Sequence, residues 1–311
     1  MAEQQRFDPL MELLKDSPPK NALEFRATLD AFALAGNGAL PEIGGSEDDV
    51  TLFSAGGVDV TADIHVPKGD GPFPVLVYLH GGGWIMGSPK THRRLAYRFA
   101  EAGYLVVNLH YRLAPEFPFP AAFDDCVRAI RWVTDNIAAY GGDPSRLAVG
   151  GDSAGGNLTA AAAAALADDA RVRIKAILLI YAALDFANMS SEGADLPGGA
   201  NLVEMLVDSY IGHDRDALVE DWRVSPIHAA ERLPPAHIAC GTADGLLTDA
   251  KALVARLAAA RIPYELATYE GMPHGFSQME EMFPDARASI DRMIAFLDAR
   301  LLSRVAHSRT R

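Results

Sequence analysis

Two short runs hold residues that could do chemistry: His80-Gly81-Gly82-Gly83-Trp84 and Gly150-Gly151-Asp152-Ser153-Ala154-Gly155-Gly156. The second sets a serine between glycines as Gly-x-Ser-x-Gly, the pattern of a sharp strand-to-helix turn that lifts the hydroxyl clear of the backbone. The first is a glycine run whose free backbone N–H groups can hold a developing oxyanion. A raised hydroxyl beside a place for negative charge is the equipment of acyl transfer. A lone Gly-x-Ser-x-Gly arises by chance in roughly one chain in ten at this glycine content, the His-Gly-Gly-Gly run in about one in a hundred or fewer.

A serine hydroxyl is a weak nucleophile until a base takes its proton, and the base needs an orienting acid. The histidines after Ser153 are His213, His228, His237, His274 and His307. His274 lies in Gly271-Met272-Pro273-His274-Gly275-Phe276, directly after the apolar run 264–269, and so at the end of a strand. Asp244 is the first carboxylate after the apolar run 237–240. Asp249 competes with it, but stands where the next helix begins and suits the positive end of that helix. These positions predict Ser153 as nucleophile, His274 as base and Asp244 as acid, with the Ala154 N–H and the glycine run facing the oxyanion. Asp152 is expected to point away from the chemistry and fix the turn by hydrogen bonds.

The elements that must position these groups alternate. Residues 75–79 and 105–109 are short apolar runs, as strands buried on both faces should be, and 176–181, 237–240 and 264–269 read as three further strands. Residues 91–102, 157–169, 248–260 and 284–301 read as helices, and Cys126, Ile130, Val133 and Ile137 form a helical stripe. Strand and helix in alternation predict an α/β fold with a mostly parallel, doubly wound sheet flanked by helices. Before this region, residues 9–15 and 21–32 read as two helices parted by Ser17-Pro18-Pro19, with 36–45 as a link. Residues 188–221 break the rhythm with Gly193, Pro197, Gly198 and Gly199 and then an apolar helix over 202–211. They read as an insertion over the C-terminal edge of the sheet. The basic end, 304–311, reads as a frayed tail.

The net charge of -13 over 311 residues disfavours nucleic acid and anionic membrane as partners, since both need a basic face. Two cysteines, Cys126 and Cys240, sit in apolar surroundings and read as inert buried thiols. No Cys/His cluster has metal-ligand spacing, and neither metal nor cofactor is expected. No apolar run reaches the length of a membrane span and residues 1–10 lack a secretory pattern, so the expected compartment is the cytoplasm. A homo-oligomer stays open.

With these motifs in place, the chain resembles the hormone-sensitive-lipase-like carboxylesterases (bacterial family IV) from about residue 50 to 301. The resemblance rests on His80-Gly81-Gly82-Gly83-Trp84, Tyr111-Arg112-Leu113-Ala114-Pro115-Glu116, Gly151-Asp152-Ser153-Ala154-Gly155-Gly156-Asn157, Asp244 and His274-Gly275-Phe276. It implies the α/β-hydrolase fold with a helical cap, made here by 1–45 and 188–221 over a body of 46–187 and 222–303. It also implies Gly82, Gly83 and Ala154 as oxyanion donors and a small ester of short acyl length as substrate. Many members carry Pro after the acid, where this chain has Gly245. Trp84, Met86, Phe32, Met205 and Tyr210 are candidates to line an apolar pocket, though each could equally pack the cap on the body. An amidase, a lactonase or a small-molecule deacetylase could use the same parts, and a non-catalytic ligand receptor shares the fold.

Overall fold

Only a strand covered on both faces can hide every residue, and the uncharged apolar runs form the middle of one sheet for that reason. In the computed structural model, which describes residues 13–15, 18–189, 195–197, 199–212 and 215–302, β3 (Phe73–Leu79), β4 (Leu105–His110), β6 (Ile174–Ile180) and β7 (Ala236–Gly241) are almost wholly buried. β5 (Gly142–Asp152) is buried over its second half, and β8 (Tyr264–Tyr269) is a half-exposed edge. With β1 (Gly45–Ala55) and β2 (Val58–Val66) they make an eight-stranded sheet in the order β1-β2-β4-β3-β5-β6-β7-β8. Every pairing from β4 to β8 is parallel, while β2 runs antiparallel to both β1 and β4. The mostly parallel, doubly wound sheet is the architecture the alternation predicts.

The β1–β2 hairpin is not among the strands expected from sequence, the first of which is 75–79. β1 opens with Ser46-Glu47-Asp48-Asp49 on its exposed face, so it lacks the period-two pattern. Its pairing to β2 through Gly56 and Gly57, both at positive φ, makes it a strand.

The helices are α1 (Ala22–Gly36), α2 (Arg93–Glu101), α3 (Ala121–Asn136), α4 (Ala154–Leu166), α5 (Leu202–Ile211), α6 (Arg215–Leu218), α7 (Leu247–Ala260) and α8 (Pro284–Leu301). α1 begins where Asn21 Oδ1 accepts the N–H groups of Leu23 and Glu24, and it runs four residues beyond the expected end at 32. α4 buries twelve of its thirteen residues, mostly alanine, because it is wedged between the sheet and α3. α5 matches the helix expected at 202–211, and α1 packs against it. Most of the helix expected at 9–15 lies outside the described residues, as do Gly193, Gly198, His213, His307 and the tail 304–311.

Parallel strands bring their C-terminal ends to one edge of the sheet. The segments carrying Gly82, Ser153, Asp244 and His274 leave β3, β5, β7 and β8 at that edge, with Leu79 registered directly beside Gly151.

Candidate active site

Ser153 sits between β5 and α4 at φ +53°, ψ -118°, a backbone region L residues seldom occupy. Tight packing holds it there. A Cβ on Gly155 would lie 1.9 Å from the Leu79 carbonyl oxygen, and one on Gly151 would lie 2.4 Å from the same atom. Glycine is therefore required two residues before and two after the serine. The Ser153 N–H donates to the Ile180 oxygen at 2.8 Å, which ties the turn to the neighbouring strand.

His274 Nε2 stands 3.0 Å from Ser153 Oγ, and His274 Nδ1 stands 2.8 Å from Asp244 Oδ2. A carboxylate only accepts, so Nδ1 carries the hydrogen and the Nε2 lone pair faces the serine hydroxyl. Asp244 Oδ1 accepts the Leu246 N–H at 2.9 Å, and only 2% of its side chain is exposed against 46% for His274. A buried, hydrogen-bonded carboxylate thus orients an accessible imidazole. The Tyr181 ring packs edge-on against the imidazole, centroids 4.9 Å apart. Asp249 faces elsewhere, accepting the N–H groups of Leu184 and Asp185 at 2.9 and 3.1 Å. Burial pushes its carboxyl up to about 6.

The loop after β3 turns back on itself, with the Ile85 and Met86 N–H groups donating to the Gly82 oxygen at 3.1 and 3.0 Å. Gly82, Gly83 and Trp84 all have positive φ, and no described backbone carbonyl takes the N–H of Gly82 or Gly83. The Ala154 N–H is the first of α4 and has no partner within its helix by geometry. His80 lies flat on Tyr111, with centroids 4.2 Å apart, and Tyr111 donates its hydroxyl to the His80 oxygen at 2.7 Å. Asp152 joins this loop to the serine turn. Its carboxylate accepts from the Gly81 N–H at 2.9 Å, the Tyr78 hydroxyl at 2.7 Å and Gln278 Nε2 at 2.8 Å. Burial pushes that carboxyl up, but nearby His92 and His80 and the Tyr78 hydroxyl outweigh burial and hold it below the usual carboxylate range.

The alpha/beta hydrolase fold family matches residues 76–278. The carboxylesterase NlhH of Mycobacterium tuberculosis is 37% identical over 236 residues, 72% of this chain and 73% of that protein. The ethyl acetate hydrolase of Pseudomonas putida is 30% identical over 264 residues, 81% of this chain and 82% of that protein. Among solved structures, a hyperthermophilic esterase from the archaeon Pyrobaculum calidifontis superposes with a TM-score of 0.84 at 30% identity, covering 93% of this chain and 96% of that one. An esterase of the bacterial hormone-sensitive lipase family superposes at 0.78 and 31% identity, covering 97% and 100%. The chain belongs to the alpha/beta hydrolases, in the hormone-sensitive-lipase-like carboxylesterase branch. As a member of that branch it is a hydrolase of carboxylic ester bonds.

The aromatic candidates divide within this hydrolase. Trp84 and Tyr210 are buried and stacked on one another, centroids 4.6 Å apart and 7° from parallel, with Phe186 against both. They pack α5 onto the body, the alternative that the sequence left open for each. Met205 and Met86 are partly buried beside the core. Phe32 is 38% exposed on α1, apart from the other candidates in burial. Several residues around the site were missed from sequence: Gln278, His92 and Tyr181, Tyr111 and Glu116, and Arg26 and Asp30 on α1. Glu116 and Tyr111 stood in a recognised motif, which was a signal. The others stood in none, and only chain folding brings them near. No helix among the described residues is long and apolar enough to cross a membrane.

Proposed function

We propose that Ser153, His274 and Asp244 are the catalytic triad of a serine carboxylesterase acting on short-acyl esters through an acyl-enzyme. The observation that carries this is the hydrogen-bonded line from Asp244 through His274 to Ser153, at 2.8 and 3.0 Å. His274 takes the Ser153 proton as Oγ attacks the ester carbonyl. The N–H groups of Gly82, Gly83 and Ala154 hold the tetrahedral oxyanion. The alcohol leaves with the proton from His274, and water, activated by the same imidazole, then releases the acid and restores the serine. Asp244 keeps the ring in the tautomer that leaves Nε2 free and steadies the imidazolium that forms.

The described parts of 1–45 and 188–221, chiefly α1 and α5, act as a cap over this edge. Support for a short acyl group comes from how closely α5 presses on the loop: a Cβ on Gly83 would lie 2.5 Å from the Leu206 side chain. The stacked Trp84 and Tyr210 leave no slot between them, and one relative is by name an ethyl acetate hydrolase.

The test is hydrolysis of p-nitrophenyl esters from acetate to palmitate beside Ser153→Ala. Turnover should be greatest on the shortest esters and fall by about 10⁴-fold or more in the variant. A folded wild type that cleaves no chain length, or a variant that keeps its activity, defeats the proposal.

A further inference from the structure

α1 supplies no group to the chemistry proposed above, yet two of its side chains grip the turn that carries Gly82 and Gly83. Arg26 and Asp30 are four residues apart and so share one face of the helix. Arg26 Nε donates to the Ile85 carbonyl oxygen, and Asp30 Oδ1 accepts the Gly87 N–H at 2.9 Å. These two backbone groups bracket Met86, whose own N–H closes the turn onto Gly82. Arg26 is itself seated. Its two terminal nitrogens donate to the Glu116 carboxylate at 2.8 and 2.7 Å, and Nη2 also reaches the Ala114 oxygen at 2.6 Å. The Ala114 N–H donates in turn to the Trp84 oxygen at 2.9 Å. The Tyr111–Glu116 run, to which the sequence assigned no chemistry, is thus the far jaw of a clamp whose near jaw is α1.

Backbone donors have no rotamer to choose. The aim of the Gly82 and Gly83 N–H groups follows from the φ and ψ of a turn with three successive positive φ angles, +116°, +56° and +61°. Two internal hydrogen bonds to one oxygen leave such a turn easily deformed, while oxyanion stabilisation depends on donors aimed before the reaction begins. Burial of Asp30 holds its carboxyl above the usual range, so the group gives up hydration to keep its place against Gly87.

We infer that Arg26 and Asp30 are positioning residues: by fixing the Ile85 oxygen and the Gly87 N–H they aim the backbone donors of Gly82 and Gly83. This rests on the oxyanion role proposed above. A helix that merely fastens the cap would change melting temperature and substrate affinity. A clamp on the oxyanion donors changes kcat.

The experiment measures kcat, KM and the pH profile of kcat/KM on p-nitrophenyl acetate. It uses the full chain and Arg26→Met, Asp30→Ala and Asp30→Asn, with near-ultraviolet circular dichroism and thermal melting on each. Arg26→Met and Asp30→Ala should lower kcat about tenfold or more, with KM within about twofold and the pH midpoint unmoved. Asp30→Asn keeps an oxygen for the Gly87 N–H and should return kcat to within about twofold of wild type. Folded Arg26→Met and Asp30→Ala with wild-type kcat overturn the inference, as does a loss confined to KM or an Asp30→Asn as damaged as Asp30→Ala. Should Arg26→Met not fold, the two Asp30 variants decide. Ser153→Ala runs alongside: if it is dead while the Asp30 variants are unaffected, only this inference fails. If it stays active, the triad reading fails as well.

Discussion

The two glycine-rich turns at the ends of β3 and β5 lie side by side and are held in opposite ways. The serine turn is fixed from within: Gly151 and Gly155 close on the Leu79 oxygen with no room for a methyl group. The loop at 80–87 is held from outside, by Tyr111, Ala114, Arg26 and Asp30. Glycine therefore does two different jobs in one site. In the first turn it allows backbones to touch, and in the second it supplies the positive φ of Gly82 and Gly83. Asp152 belongs to both, because it ends β5 yet accepts the Gly81 N–H.

Adding one methyl group to each turn separates the two cases. Gly155→Ala forces a Cβ to 1.9 Å from a backbone oxygen that cannot step aside. It should cost on the order of 3 kcal/mol or more, seen as a lower urea midpoint or as failure to fold. A variant of wild-type stability would mean the serine turn is as compliant as the loop. Gly82→Ala meets the Met86 oxygen at 2.3 Å and carries a φ of +116°, a clash within the loop itself and not against the end of a neighbouring strand. The expected result is a folded protein whose kcat falls about 100-fold, the scale of one lost oxyanion donor. A drop in folding stability equal to that of Gly155→Ala would erase the distinction.

The smallest effect on activity belongs to a carboxylate outside both turns. Burial pushes the Asp249 carboxyl up to about 6, above the ordinary carboxylate range. The folded protein thus holds this proton longer than the unfolded chain. Its contribution to stability declines as pH rises from about 4 to 6 and is level above that, a loss of at most about 3 kcal/mol. Asp249→Asn, which still offers an oxygen to Leu184 and Asp185, should remove that slope from melting curves taken between pH 4 and 8. Its kcat should stay within about twofold of wild type. A slope unchanged in the variant would place the proton elsewhere, and a large loss of kcat would make Asp249 a rival to Asp244.

How far the site could be read from sequence follows the same division. Ser153, Asp244 and His274 were legible because each follows an apolar run, and parallel strands deliver such positions to one edge. The helix at 202–211 was legible from its apolar residues, and the central strands from their lack of charge. The β1–β2 hairpin was not, since an exposed acidic strand has no pattern until its partner is known. For Trp84 and Tyr210 the sequence left pocket lining and cap packing equally open, because it reports that a side chain is aromatic, not which ring covers it.

The sequence by itself determined the candidate set, Ser153, Asp244 and His274, and its order along the chain, because each follows a strand and parallel strands end at one edge. Only the tertiary structure decided what supports that set. It brought Gln278 onto Asp152, left Asp249 to bind backbone N–H groups, and laid α1 along the oxyanion loop. Those contacts join segments with no shared period or motif, and a side chain's partner across 57 residues or more is set by how the elements pack.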